Sequence, residues 1–223
     1  MKSFLLVMFF LGLTFGFYKT LSYVKEKPCQ EPITTIVQTG PLKEGLKTDH
    51  LAEILHLSID KPRSITPEAA EKLLLKHPLI KKVAVSLLNP QTLYIDYTLR
   101  SPLFTLIDYE NRAVDEEGKV FPIRPYLTPK NLPELSLGES DLYPLALELL
   151  DLLGTEVERI DLSRAKDPSL GKREVVVVLS KGHTLRLTPR NYHEELERYD
   201  ALELEEGVVI DLRVPKLAYI TSD

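Results

Sequence analysis

The 223-residue sequence contains a single cysteine, Cys29, and no tryptophan. One cysteine excludes a disulfide within the chain and a zinc site built from several thiolates. No strong excess of either charge is present, because 28 basic and 33 acidic side chains give a net charge of −5. Nucleic-acid binding depends on clustered lysine and arginine that neutralise phosphates, so this balance argues against a nucleic-acid partner.

Motifs of catalysis and cofactor binding are also missing from the sequence. The 5 histidines are not spaced as a helical metal-binding pair, and neither a phosphate-binding loop nor a dinucleotide-binding glycine pattern occurs. The Gly-x-Ser at Gly138–Ser140 is not followed by the glycine of a nucleophile elbow. Acidic residues occur in runs typical of solvated turns and faces. We therefore predict no catalytic, cofactor-binding or metal-binding residues and no small-molecule substrate.

The N-terminal segment is mainly apolar. It is uncharged from Ser3 to Tyr18 and reaches Val24 if Lys19 is included. The longer stretch is sufficient to cross a bilayer as a helix. A cleaved signal peptide and an uncleaved membrane anchor both fit this pattern, and the lack of a small-residue cleavage site favours the anchor.

Two further features concern the packing and orientation of this segment. Gly12 and Gly16 are four residues apart, a spacing that predicts a packing face for another membrane helix. Three lysines lie towards its C-terminal side, whereas Lys2 alone lies on its N-terminal side. Taken by itself, this distribution favours a cytoplasmic C-terminal part.

Hydrophobic periodicity divides the rest of the chain into two modules after a linker at 25–32. Residues 33–102 predict the order β-α-α-β-β, in which two amphipathic helices precede a hairpin. Residues 103–223 predict a β-rich module with an antiparallel sheet and two helices. The whole chain is thus expected to be an α+β protein, with a short tail and a transmembrane helix at 1–24.

Local signals mark several elements of these modules. Thr66 is placed to cap the second helix, and Pro67 lies in its first turn. The five apolar residues Val175–Leu179 predict a strand that is buried on both faces. Asn191 and Glu194 have the spacing of a capping box for the last helix.

Six segments resemble motifs of the FtsQ/DivIB family of bacterial cell-division proteins, and they occur in the order that the family has. These segments are His77–Val85, Asn89–Ile95, Arg100–Phe104, Ala113–Pro122, Val176–Leu187 and Val209–Arg213. The run VIDLR at the end of the last segment, for example, is similar to the family's terminal Y-I-D-L-R strand. The resemblance implies a POTRA domain at 33–102 and an FtsQ-type β domain at 103–223.

The same resemblance implies a function. Members of the family are non-enzymatic divisome scaffolds, which recruit and regulate proteins of septal cell-wall synthesis. The partners it implies are small division proteins of the FtsB/FtsL (DivIC/FtsL) type and other divisome members. It also implies a single-pass protein of the inner membrane, with a cytoplasmic N-terminus and its bulk outside the cytoplasm. This orientation is opposite to the one that the lysines favour.

Two alternative functions stay open at this point. One is a POTRA-type chaperone or secretion accessory, which would be expected to carry tandem POTRA units or a C-terminal barrel. The other is a membrane-anchored periplasmic hydrolase, which would need a cleft with converging titratable groups.

The C-terminal segment is the predicted partner site. The strand Val208–Leu212, or its continuation to Ile220 beyond Pro215, is expected to form a sheet edge whose unpaired backbone groups accept an extended partner segment. Two cations in this segment suit an acidic partner, and a tyrosine offers an amphipathic ring. The predicted partner-binding residues are Arg213, Val214, Lys216 and Tyr219.

Overall fold

The structure is a computed structural model that describes residues 31–41, 44–58, 63–128 and 130–222. The predicted tail and transmembrane helix at 1–24, with Gly12 and Gly16, lie outside these residues, as does most of the predicted linker.

The predicted fold class needs a correction. No helix within the described ranges is long and apolar enough to cross a membrane. The longest of them, α3 (Tyr143–Leu153), has 11 residues, whereas a span of the hydrocarbon core needs about 20. What the described residues form is an α+β fold with mixed sheets and four α-helices.

The described chain divides into two compact units. The first unit contains the described residues up to Gly40, together with Leu46–His77 and Lys82–Tyr97. The second unit contains two short segments, Pro41–Gly45 and Pro78–Lys81, and the chain from Thr98 onward.

The first unit contains a three-stranded sheet and two helices, in the order β-α-α-β-β. Its elements are β1 (Thr35–Gln38), α1 (Thr48–Ile54), α2 (Pro67–Leu74) and the greater part of β2 (Ile80–Asn89) and β3 (Thr92–Leu99). The strand order is β1-β3-β2, and β1 runs parallel to β3. At the start of α2 the Thr66 hydroxyl accepts a hydrogen bond from the Ala69 N–H at 3.2 Å. This contact confirms the predicted cap, which satisfies one of the free donors of the first turn.

The second unit is built on a nine-stranded sheet of order β12-β11-β10-β9-β8-β7-β4-β5-β6. Its strands are β4 (Phe104–Leu106), β5 (Arg112–Val114), β6 (Val120–Pro122), β7 (Glu134–Ser136), β8 (Val157–Asp161), β9 (Val175–Leu179), β10 (Thr184–Leu187), β11 (Val208–Asp211) and β12 (Tyr219–Ser222). Its helices are α3 and α4 (Tyr192–Asp200).

This sheet is mixed, so the predicted antiparallel sheet is wrong. The pairs β4/β7, β7/β8 and β10/β11 are parallel. Helix α3 lies between β7 and β8 in the chain, and α4 lies between β10 and β11. A helix between two strands returns the chain to the end at which the first strand began, and this gives a parallel pair.

The core of the second unit joins one face of the sheet to both helices. Its buried cluster includes Ala146 and Leu149 of α3, Leu196 of α4, and Ile160 and Ile210 of the sheet. Burial alternates along β4, β9 and β10, because the opposite sheet face is only partly covered.

Strand β9 shows this alternation. Val175, Val177 and Leu179 are buried, but Val176 and Val178 are half-buried. The prediction that this strand is buried on both faces is therefore wrong.

The start of α4 also differs from the prediction. Asn191 precedes the helix, but its side chain makes no capping hydrogen bond. The buried carboxylate of Glu195 instead accepts hydrogen bonds from the N–H and the hydroxyl of Thr188, both at 2.7 Å. The predicted capping box is thus replaced by a contact between the first helical turn and the loop before it.

Candidate partner-binding edge

Strand β12 forms one end of the nine-stranded sheet. It pairs with β11 in antiparallel register, from Val208 opposite Ser222 to Asp211 opposite Tyr219. Within the described part of the chain, no strand lies on its other side. Such an edge carries backbone N–H and C=O groups that a further strand can use.

The hydrogen bonds of β10 and β11 identify the free groups of β12. The N–H of Leu212, directly after β11, donates to the Arg186 carbonyl of β10 at 3.0 Å. Successive residues of a strand direct their backbone groups to opposite sides, so Asp211 turns its groups towards β12 and engages Tyr219. The same alternation along β12 directs the N–H and C=O of Ile220 to the free edge.

The edge is also apolar at its surface. Val214, Leu217, Tyr219 and Ile220 are 44% to 70% exposed. Proteins usually protect an exposed edge with charges, proline or a covering element, because a free apolar edge promotes pairing with another chain. Apolar side chains grouped along a strand that has one free edge are typical of a site that another protein covers.

The turn between β11 and β12 corrects the predicted path of the chain. The strand does not continue to Ile220 beyond Pro215, because the chain reverses and brings β12 back along β11. The N–H of Leu217 donates to the Val214 carbonyl at 3.2 Å within this turn. Lys216 has a φ of +64°, and this left-handed conformation helps to reverse the chain. The edge of the sheet is therefore β12, while the strand at Val208 lies inside it.

Arg213 differs from the other predicted site residues, because intramolecular ion pairs hold its side chain. Its Nε lies 2.9 Å from Asp211 Oδ1 and its Nη2 lies 2.6 Å from Asp211 Oδ2. Its Nη1 lies 3.2 Å from Glu174 Oε2. The hydrogen bond from Arg213 lowers the pKa of the Asp211 carboxyl below its ordinary value. Arg213 thus stabilises the sheet next to the edge. Val214 and Lys216 in the turn and Tyr219 in β12 are exposed.

Glu174 is the centre of this ion cluster. It is 4% exposed and accepts hydrogen bonds from Arg164 at 2.7 Å and from Arg186 Nε at 2.9 Å. The buried carboxylate is stable because several arginines surround it. The sequence offered one signal of this cluster, a glutamate directly before an apolar strand, but not the identity of its partners.

Arg198 of α4 is a second residue that sequence reasoning missed. It donates to the backbone carbonyls of Leu212 at 2.7 Å, Val214 at 3.1 Å and Leu217 at 3.4 Å. These carbonyls flank the turn that precedes β12. An arginine in the last turn of a helix is an ordinary sequence feature, and its partners follow only from the tertiary structure.

Among the described residues, no group of three or more histidine, cysteine and acidic side chains is placed to hold a metal ion. A cavity of about 1080 Å³ lies in the second unit, lined by Leu103, Leu150 and Val157 and by polar side chains. Two of its charged lining residues, Glu134 and Arg159, bind each other at 3.1 Å.

The residues of the β12 edge therefore define the candidate site, and its chemistry is that of backbone pairing and apolar contact. The FtsQ/DivIB resemblance stays a prediction from the sequence motifs. No family model matches this chain, and a search of curated proteins finds no match either.

Proposed function

We propose that this protein is a non-enzymatic scaffold that recruits a partner protein by strand addition at β12. The observation that carries the proposal is the free edge of the nine-stranded sheet, where apolar side chains are exposed beside unpaired backbone groups. In strand addition the main-chain hydrogen bonds contribute affinity, and the alternating side chains select the partner.

The two faces of β12 select different side chains in the partner. Ile220 lies opposite Ile210, which is buried in the core cluster, so Ile220 is on the face that carries the helices. Tyr219 lies opposite Asp211, on the face of the arginine cluster. An incoming strand would therefore place apolar residues beside Ile220 and polar or acidic residues beside Tyr219.

Charge supports an acidic partner segment. Lys216 lies exposed in the turn before β12. Three arginines, Arg164, Arg186 and Arg213, pair with only two carboxylates, Glu174 and Asp211, so this cluster carries one net positive charge. A cationic surface of this kind contributes to partner choice and association rate more than to affinity.

We further propose that the partner belongs to the FtsB/FtsL type of division proteins and that the process is septation. This part of the proposal rests on the motifs that resemble the FtsQ/DivIB family, above all the VIDLR run that ends next to the turn before β12. The free edge fits such a role because a small partner with an extended segment needs a sheet edge and no catalytic cleft.

Two experiments test this function. The purified full chain is titrated with the purified FtsB-type protein of the same organism, and saturable binding in the micromolar range or tighter is expected. Depletion of the protein in its host should then give filaments without septa under the microscope. Normal septation combined with altered levels of outer-membrane proteins would contradict the division role and favour a chaperone.

A further inference from the structure

We infer that Arg198 is a positioning residue for the partner strand, because its guanidinium sets the turn that holds β12 in register. This inference rests on the proposed function and deepens it, since it names the residue that prepares the binding edge. Arg198 itself belongs to α4 and acts through the backbone of the turn.

The geometry of Arg198 fits this role. Its Nη2 donates to Leu212 O at 2.7 Å, where β11 ends. Its Nη1 donates to Val214 O at 3.1 Å and to Leu217 O at 3.4 Å, on both sides of the reversal. One planar side chain thus fixes three carbonyl groups that lie between the last inner strand and the edge strand.

The turn needs a restraint of this kind. Its residues from Val214 to Ala218 are all exposed, so side-chain packing contributes little to its conformation. Lys216 has a φ of +64°, which a residue with a Cβ adopts at a cost in free energy. Beyond the turn, β12 is held by four residue pairs with β11. Exposed backbone with few buried contacts belongs to the part of a structure that opens most readily.

The contacts of Arg198 are directed at the backbone. Its two η nitrogens bind carbonyl groups, and its Nε is buried without a hydrogen-bond partner in the described part of the chain. A lysine ammonium is a point donor and lacks the fixed fork that spans the turn, so lysine would restore only part of the restraint.

The test uses the full chain and three variants. Arg198→Met keeps the apolar stem and removes every donor, and Arg198→Lys keeps the charge. Arg190→Met is the matched control, since Arg190 is exposed in the loop before α4. Amide hydrogen exchange is measured at Tyr219 and Thr221, whose N–H groups face β11, and at β9. Binding of the purified FtsB-type protein is measured in parallel.

In Arg198→Met we expect the exchange rate at β12 to rise by roughly tenfold or more, and the affinity for the FtsB-type protein to fall by the same factor. A tenfold change corresponds to the loss of about one charged hydrogen bond. Arg198→Lys should lie between wild type and Arg198→Met, and Arg190→Met should match wild type. Exchange at β9 should not change, because a positioning role is confined to the edge.

Two exchange results would overturn the inference. One is unchanged exchange at β12 in Arg198→Met. The other is an equal loss of protection at β9, which would mean that Arg198 only stabilises the whole unit. If the wild-type chain does not bind the FtsB-type protein, the proposed function is wrong, while the exchange data still decide the role of Arg198. If the wild type and Arg198→Met bind equally well, only the inference is wrong.

Discussion

Replacement of the buried carboxylate Glu174 by glutamine should destabilise the second unit without a change in its fold. Glutamine has nearly the same volume and keeps one acceptor oxygen, so no cavity forms. It removes the negative charge that three arginines share, namely Arg164, Arg186 and Arg213. Its amide group would also direct donors at guanidinium groups that are themselves donors.

The exposure of each arginine side chain determines how much its contact with Glu174 contributes to the free energy of unfolding. The side chains of Arg164 and Arg186 are 53% and 36% exposed, so water screens them, and each contact contributes about 0.5 kcal/mol. The Arg213 side chain is 21% exposed, and its charged contact contributes about 1 kcal/mol. We therefore expect Glu174→Gln to lower the free energy of unfolding by about 2 kcal/mol, with a fall in Tm of roughly 4–8 °C.

Urea denaturation followed by circular dichroism measures this change directly. The control is Glu139→Gln, which removes a carboxylate that is 62% exposed and pairs with Lys166 at 2.9 Å. We expect the control to change the free energy of unfolding by less than about 0.5 kcal/mol. Equal changes in the free energy of unfolding for the two variants would refute the reasoning, because burial of Glu174 would then add nothing to the stability that its ion pairs contribute.

Three further predictions concern the edge and the first unit. Tyr219→Ala combined with Lys216→Glu should weaken capture of the FtsB-type protein in a pull-down and leave the melting curve intact, since both residues are exposed. If the double variant captures as much partner as the wild type does, these two residues do not belong to the site. Burial, followed by repulsion from a nearby imidazole, lowers the pKa of His77 below its ordinary 6.5, so the free energy of unfolding is highest above that pH and falls as the pH drops through it. Urea titrations at several pH values should show this loss in the wild type and a smaller one in His77→Asn. Gly40→Ala should lower Tm, because the added Cβ would overlap the Tyr97 ring, at a cost of about 1–3 kcal/mol; an unchanged Tm would contradict that overlap.

Elements defined by local signals were predicted well from the sequence. The α2 cap at Thr66 depends on residues within one turn, and the structure confirms it. The leucine stripe from Leu142 to Leu153 predicted α3 to within one residue of its observed start at Tyr143. The cap of α4 was mispredicted because a second acceptor, Glu195, lies in the same turn and binds Thr188 instead. Spacing alone does not show which of two neighbouring carboxylates makes the contact.

Features that depend on distant residues could not be read from the sequence. The parallel pair of β10 and β11 depends on the path of α4 between them, and local alternation is the same for parallel and antiparallel strands. The predicted site segment contained the true edge, but the turn at Lys216 decides that β12 and not β11 is outermost. The sequence predicted that Arg213 is a free cation that contacts the partner, whereas in the structure its guanidinium forms ion pairs with Asp211 and Glu174.

The most direct test of strand addition compares two variants of one edge residue, of which only one keeps the outward backbone N–H. Ile220→Pro removes this N–H and leaves the pairing with β11, because the backbone groups of Ile220 face away from β11 and proline is tolerated where a strand faces solvent. Ile220→Ala is the control, since it loses the same side chain and keeps the donor. By isothermal titration with the FtsB-type protein, Ile220→Pro should bind at least about tenfold more weakly than Ile220→Ala, with similar Tm values for the two variants. Equal affinities for the two variants would contradict strand addition at β12.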